Sequence, residues 1–313
     1  MKKIIKYAFL LATVLLVTFV IISLFFIKTI YRTMRNQGND FPPFISNLIE
    51  KMRREEPVKI IPAEEKTVRV LEGWTLRDVA ASLEKPELSS EADFYKIAGE
   101  PQTDYRRATK DSWPQDFSEE FSFLADKPKH YGLEGYLFPD TYRVYASSTV
   151  EDVIRRLLIN FDQKLTPQMR SDIASQGRTI YEVITLASLV EKEAPIDYQG
   201  GDNSDAKIIA GIFMNRLAIG QGLQADATLS YIFNDNKPAH SGAELEVDSP
   251  YNTYKYRGLP PGPICNPGIL AIEAAIYPAK TDYYYFLTPK GKREVIYAKT
   301  YQDHLNNKNK YLR

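Results

Sequence analysis

The sequence predicts an α+β protein with a single-pass N-terminal transmembrane helix, and three observations carry that reading. Residues 8–27 form an uncharged run rich in Leu, Val, Ile and Phe. Residues 68–83 pass from alternating to helical spacing around Gly73. Residues 179–195 form a helix that is apolar nearly all round yet closes on Glu191, Lys192 and Glu193. About twenty apolar residues at ~1.5 Å rise each match the ~30 Å hydrocarbon core of a bilayer. The other two stretches are the units from which a mixed helix and strand domain is packed.

Composition narrows the function classes. The 313 residues carry 40 Lys and Arg against 40 Asp and Glu, so no charge excess points to nucleic acid. A single cysteine, Cys265, excludes an intramolecular disulfide framework and offers no thiolate cluster for a metal. With three histidines (His130, His240, His304) and no ligand motif, Cys265 reads as a packed thiol, and neither metal nor cofactor is expected.

Residues 1–30 read as a cytoplasmic tail and transmembrane helix. Lys2, Lys3 and Lys6 before the span are matched by Lys28, Arg32 and Arg35 after it, so orientation rests on the short basic tail followed by a large domain. A cleaved signal peptide is the competing reading, but the apolar run is long and no small-x-small site follows. Residues 31–65, with Pro42, Pro43 and the run Arg53, Arg54, Glu55, Glu56, Pro57, read as a juxtamembrane linker.

Residues 66–145 form a small α+β domain. A strand runs to Leu71, Gly73 turns the chain, Thr75 can cap, and Leu76, Val79, Ala80 and Leu83 make the inner face of a helix. This unit resembles the first half of a LysM-type carbohydrate-binding module, although a plain packing domain has the same pattern. Residues 133–142 hold Glu134, Gly135, Tyr136, Phe138 and Tyr142, and are expected to be extended, with a turn at Pro139 and Asp140 and the aromatics packed or stacked.

Residues 146–313 form a second α+β domain around the buried helix. A capped amphipathic helix spans 148–161. At Thr179 a capping box with Glu182 opens the central helix, Ile180, Val183, Ile184 and Ala187 line one face, and Leu186, Leu189 and Val190 line another. Pro195 disfavours helical geometry at Ala194 and ends it. A carboxylate at that end is pushed toward its protonated form by burial and by the negative end of the helix dipole. A Glu raised from about 4.3 toward about 6 can act as a general acid on a glycosidic oxygen. The competing reading makes both glutamates solvated residues of a fraying helix.

Beyond it, a helix from near Ala206 ends on Asn215 and Arg216, where Arg216 can pair with Glu191, Glu193 or Asp226 or merely cap the helix. Tyr251, Asn252 and Tyr254 offer stacking faces and an amide suited to sugar rings, and Pro260, Pro261 and Pro263 stiffen the next turn. Residues 271–275 are an apolar helix. Residues 282–287 and 295–298 make a hairpin, and 300–312 a polar helix in which His304 can approach the site but reads first as a solvated residue.

Five ordered motifs now carry a resemblance: residues 133–142, 186–193, 212–217 and 223–226, and the loop from Tyr251 through Gly258 and Pro263 to Gly268. The chain resembles the MltG (YceG-like) endolytic murein transglycosylases over nearly its whole length. The resemblance implies cleavage of peptidoglycan glycan strands between N-acetylmuramic acid and N-acetylglucosamine, leaving 1,6-anhydro ends, at the cytoplasmic membrane beside peptidoglycan synthases. In goose-type lysozymes and related transglycosylases the catalytic Glu closes an apolar helix before Ser or Thr. That pattern selects Glu193, with Glu191 as the alternative, although Ala194 replaces the hydroxyl residue. Glu134, Asn215, Arg216, Gln224, Asp226, Tyr251, Asn252 and Tyr254 are the expected substrate-binding residues, Asp226 mainly as a loop anchor. The alternative function is a non-catalytic peptidoglycan-binding scaffold for synthases.

Overall fold

A computed structural model describes residues 64–312, apart from Pro238 and Lys290, together with scattered residues between 18 and 33. The chain forms two compact units, Met1–Pro62 and Ala63–Arg313. Most of the apolar run 8–27 lies outside the described residues. Among those described, no helix is long and apolar enough to cross a membrane. In the first unit the described residues are helical, and Ile22, Phe25 and Phe26 are exposed.

The second unit is an α+β fold with two small antiparallel sheets. Strand β1 (Glu65–Val70) pairs with β2 (Asp140–Tyr145), Val68 opposite Tyr142. Between them lie α1 (Leu76–Glu84) and α2 (Glu91–Ala98). Thr75 and Asp78 form a full capping box on α1, and the predicted inner face of Leu76, Val79, Ala80 and Leu83 is buried. The predicted turn at Pro139 and Asp140 does not form. The chain turns at residues 134–136, where Gly135 takes φ +91 against the Pro263 ring, and Asp140 already opens β2. The aromatics pack as expected: Tyr136 lies 5.3 Å from Phe161 and 6.0 Å from Phe123 between ring centroids.

The remaining helices gather around one. α3 (Val150–Lys164) and α4 (Pro167–Ser175) lead to α5 (Ile180–Glu193), whose residues from Val183 to Val190 are all buried. Its neighbours are α6 (Ser204–Ala218), α7 (Asp226–Phe233) and α9 (Ile269–Ile276), with the short α8 (Gly242–Leu245) in the intervening loop. A helix covered on every side needs apolar residues on every side, which is why α5 lacks a polar face. Its two buried aliphatic hydroxyls are satisfied within the helix, Thr185 donating to the Tyr181 carbonyl at 2.8 Å and Ser188 to the Thr185 carbonyl at 2.7 Å. Ser188 also accepts the Ile264 amide at 3.0 Å, and the buried Cys265 thiol donates to the Ser188 carbonyl, so this loop is strapped across α5. Strands β3 (Tyr285–Leu287) and β4 (Ile296–Ala298) form the expected hairpin, covered by α10 (Tyr301–Tyr311).

Candidate active site

The end of α5 separates its two acids. Ala194 is extended, as Pro195 requires, and its amide closes the last turn on the Val190 carbonyl at 2.9 Å. Two residues apart on a helix is about 200° of rotation, so Glu191 and Glu193 point to different sides. Glu191 accepts the Gly268 amide at 3.0 Å and the Tyr198 hydroxyl, and takes no part in the cleft on the other side. Burial raises its pKa against those two bonds.

Glu193 opens into a cleft of about 610 Å³ shared with Arg216, Gln224, Asp226 and Tyr254. Burial raises its pKa to about 7, and the nearby charge of Asp226 pushes the same way. The Ala227 amide, donating to Oε1 at 3.3 Å, and the charges of Arg216 and Lys192 oppose them. Glu193 is thus proton-bearing over part of the neutral range while facing open space, the combination a general acid needs.

The surrounding residues hold this geometry. Asp226 begins α7 and accepts the Tyr254 hydroxyl at 2.8 Å. Gln224 sits at φ +49, a left-handed conformation that costs a non-glycine residue about 1–3 kcal/mol and is retained where the surroundings enforce it. Here the Gln224 amide is fixed on the Thr253 carbonyl at 3.2 Å. Arg216 pairs with none of Glu191, Glu193 and Asp226 among the described residues. Its Nε donates to the Tyr284 carbonyl at 2.7 Å, Nη1 donates to the Leu223 carbonyl, and the guanidinium lies 5.3 Å from the Tyr285 ring centre.

Four expected binding residues stand outside the cleft. Glu134 is buried beneath α1, accepting the Leu76 amide at 3.0 Å and the Tyr231 hydroxyl at 3.1 Å, and burial raises its pKa to about 8. Asn215 donates to the Thr281 and Tyr283 carbonyls at 2.8 and 3.0 Å and so latches the approach to the hairpin. Tyr251 packs on Tyr231 at 5.2 Å. Asn252 donates to the Leu245 and Val247 carbonyls at 2.8 and 2.9 Å and accepts the Tyr254 amide at 3.0 Å, so it shapes the loop that presents Tyr254.

The far wall comes from the hairpin and α10: Tyr285, Phe286, Thr288, Tyr301, His304 and Lys308. His304, expected in solvent, stacks on Tyr285 with ring centres 5.3 Å apart and planes at 25°. The i, i+4 spacing of His304 and Lys308 is the sequence signal that puts both on one helix face. Among the described residues no group of three or more His, Cys, Asp or Glu side chains is placed to hold a metal ion.

A single half-buried carboxyl, held near neutrality where it opens into a cleft of an α+β domain, has the geometry of an acid donor. The chain belongs to the YceG-like family, whose profile matches residues 27–310. It is 34% identical over 247 residues to a Bacillus subtilis protein named endolytic murein transglycosylase, covering 78% of this chain and 65% of that one. A Streptococcus pneumoniae protein of the same name is 33% identical over 270 residues, covering 83% of this chain and 46% of the relative. The chain therefore spans about half to two thirds of the length of these relatives. The crystal structure of a putative YceG-like protein from Listeria monocytogenes matches with a TM-score of 0.63 and 31% identity, over 83% of this chain and 80% of that one.

Proposed function

We propose that this chain is an endolytic peptidoglycan lytic transglycosylase, cutting nascent glycan strands between N-acetylmuramic acid and N-acetylglucosamine and so terminating their elongation. The observation that carries the reading is Glu193: a carboxyl raised to about 7 and open to a cleft of about 610 Å³. The names of the relatives from Bacillus subtilis and Streptococcus pneumoniae support the same substrate class.

Glu193 donates its proton to the bridging oxygen as the bond to the anomeric carbon breaks, and the N-acetylglucosamine leaves as an alcohol. The resulting carboxylate then takes the proton of the muramyl C6 hydroxyl, whose oxygen attacks the anomeric carbon and closes the 1,6-anhydro ring. The Glu193 proton is restored and no water is consumed. The Ala227 amide and Arg216 steady the carboxylate between the two transfers. Asp226, held by Tyr254, keeps the Glu193 proton on through repulsion, while Gln224 and Tyr254 offer a hydrogen-bonding amide and a ring face to the sugars. Glu191 buttresses the end of the helix through Gly268 and Tyr198.

We also read residues 8–27 as a single-pass anchor in the cytoplasmic membrane, with the second unit on the outer side beside peptidoglycan synthases. The uncharged run and the exposed Ile22, Phe25 and Phe26 support it. The order β1, α1, α2, β2 supports a LysM-like unit over 66–145 preceding a catalytic domain over 146–313.

The test is mass analysis of uncrosslinked glycan strands digested with the full chain in detergent. New ends lacking one water relative to hydrolysis products are expected. Hydrated ends would mean a lysozyme, and intact strands would favour the scaffold.

A further inference from the structure

We propose that the wall of the cleft formed by Tyr285, His304 and Lys308 is a subsite for a carboxylate carried on the glycan strand, either the lactyl carboxylate of a muramyl unit or one on its stem peptide. The proposal rests on the reading of the chain as a glycan-strand enzyme and names the substituent its cleft selects.

His304 and Lys308 are four residues apart on α10, so they share a helix face, and both line the cleft. Lys308 has no carboxylate partner among the described residues, whereas the neighbouring Lys299 is paired with Asp282 at 3.0 Å. The acid in the first turn of α10, Asp303, is spent on the helix cap, where its carboxylate accepts the Thr300 hydroxyl at 2.6 Å. Arg216 is tied to two backbone carbonyls yet stays within electrostatic reach of both Glu193 and His304. The acids of the cleft, Glu193 and Asp226, are held at the Ala227 amide and the Tyr254 hydroxyl. The charge left over on the α10 wall is positive.

His304 adds a second unmet demand. Its Nδ1 has no hydrogen-bond partner among the described residues and is shut away from solvent. Buried polar atoms without partners are uncommon, and each calls for an explanation such as an ordered water or ion. Burial, then Lys308 and Arg216, hold the imidazole below its usual pKa, so the ring is neutral and can give or take a hydrogen bond without adding charge.

The sugar backbone of a glycan strand is uncharged, so hydroxyls and acetamides gain little from a free ammonium. A carboxylate gains a great deal, and charge complementarity of this kind sets specificity more than bulk affinity. Tyr301, exposed and lining the same cleft as Lys308, offers a ring face suited to a sugar, so the carboxylate this wall fits is one attached to a pyranose.

The experiment compares the wild-type full chain in detergent with Lys308→Met and Lys308→Arg. Three strand preparations are used: peptide-free strands, the same strands with their carboxylates converted to amides, and strands that keep their stem peptides. The quantity read is the ratio of kcat/KM on a carboxylate-bearing strand to that on the amidated strand. That ratio is expected to fall about tenfold in Lys308→Met, through KM, and to recover in Lys308→Arg. A ratio unchanged by Lys308→Met overturns the proposal. A preference seen on peptide-free strands assigns the site to the lactyl group, and one seen only on peptide-bearing strands assigns it to the stem peptide. If the wild type cuts no strand, the reading of the activity has failed, and the same ratio is measured as Kd on the Glu193→Gln background. Equal Kd values for carboxylate and amide strands would then overturn the subsite by itself.

Discussion

The Ala227 amide, in the first turn of α7, donates to Glu193 Oε1 at 3.3 Å, so the carboxyl that closes one helix is met by the opening of another. The two helix ends act on it in opposite senses: the negative end of α5 favours the proton and the positive end of α7 favours the charge. Burial tips the balance, leaving Glu193 near 7 and able both to give and to reclaim a proton.

Replacing Glu193 by Gln preserves shape and removes the proton donor. Strand cleavage should fall about 10³-fold, within the usual range for loss of a general acid or base, with an unchanged circular dichroism spectrum. Glu191→Gln should behave in the opposite way. It disturbs the half-buried bonds to Gly268 and Tyr198 and should lower stability by about 1–3 kcal/mol while keeping cleavage within tenfold. Exchange of these two outcomes would move the catalytic assignment to Glu191.

Asp226 raises the Glu193 pKa through its charge, and Asn at that position can still accept the Tyr254 hydroxyl. The proposed mechanism needs protonated Glu193 in the free enzyme, so kcat/KM should decline as pH rises through about 7. In Asp226→Asn the alkaline limb of the pH profile should move to lower pH. A limb that stays in place, or moves up, would remove Asp226 from the electrostatics of the acid.

Glu134 gives stability a pH slope of definite sign. The folded protein keeps a proton on it up to about 8, whereas the unfolded chain releases that proton near the ordinary 4.5. Between those values the native state binds more protons, so stability falls with rising pH, by up to about 1.4 kcal/mol per unit from this group. Urea unfolding at pH 5, 6, 7 and 8 should show the decline in the wild type and a shallower one in Glu134→Gln. Parallel slopes would mean that the carboxyl is solvated.

Gly211 lies inside α6, where alanine is normally favoured by about 1 kcal/mol. A Cβ built there comes within 2.2 Å of the Ala279 carbonyl oxygen, a backbone atom that cannot swing aside. Gly211→Ala should therefore destabilise the protein by about 1–3 kcal/mol in denaturant titrations, the usual cost of overpacking. A gain in stability would show that the two segments separate freely.

The local grammar of this chain is readable and its long-range grammar is not. The capping boxes at Thr75 and Thr179, the end of α5 at Pro195 and the hairpin before α10 all follow from residues within a few positions of one another. The placement of Glu193 at the end of a buried helix was legible for the same reason, since the apolar run and its stop are both written in 179–195. Glu134 was not, because its partner is the Leu76 amide 58 residues away, and an acid in an aromatic loop has the same sequence signature whether it faces a ligand or a buried backbone. Asn252 is the same case, an amide of the right type turned inward to two carbonyls of its own loop. His304 was underestimated because the face that α10 turns to the cleft is set by the hairpin it packs on, not by its own polar sequence.

The account depends most on the protonation of Glu193, and isotope-edited infrared spectroscopy of its side-chain carboxyl across pH 4 to 9, with Glu193→Gln as the blank, reads it directly. A carboxyl that titrates near 7, and lower in Asp226→Asn, is the expected result. A carboxylate already ionised by pH 5.5 in the free protein and in the strand-bound complex would leave the cleft without its acid.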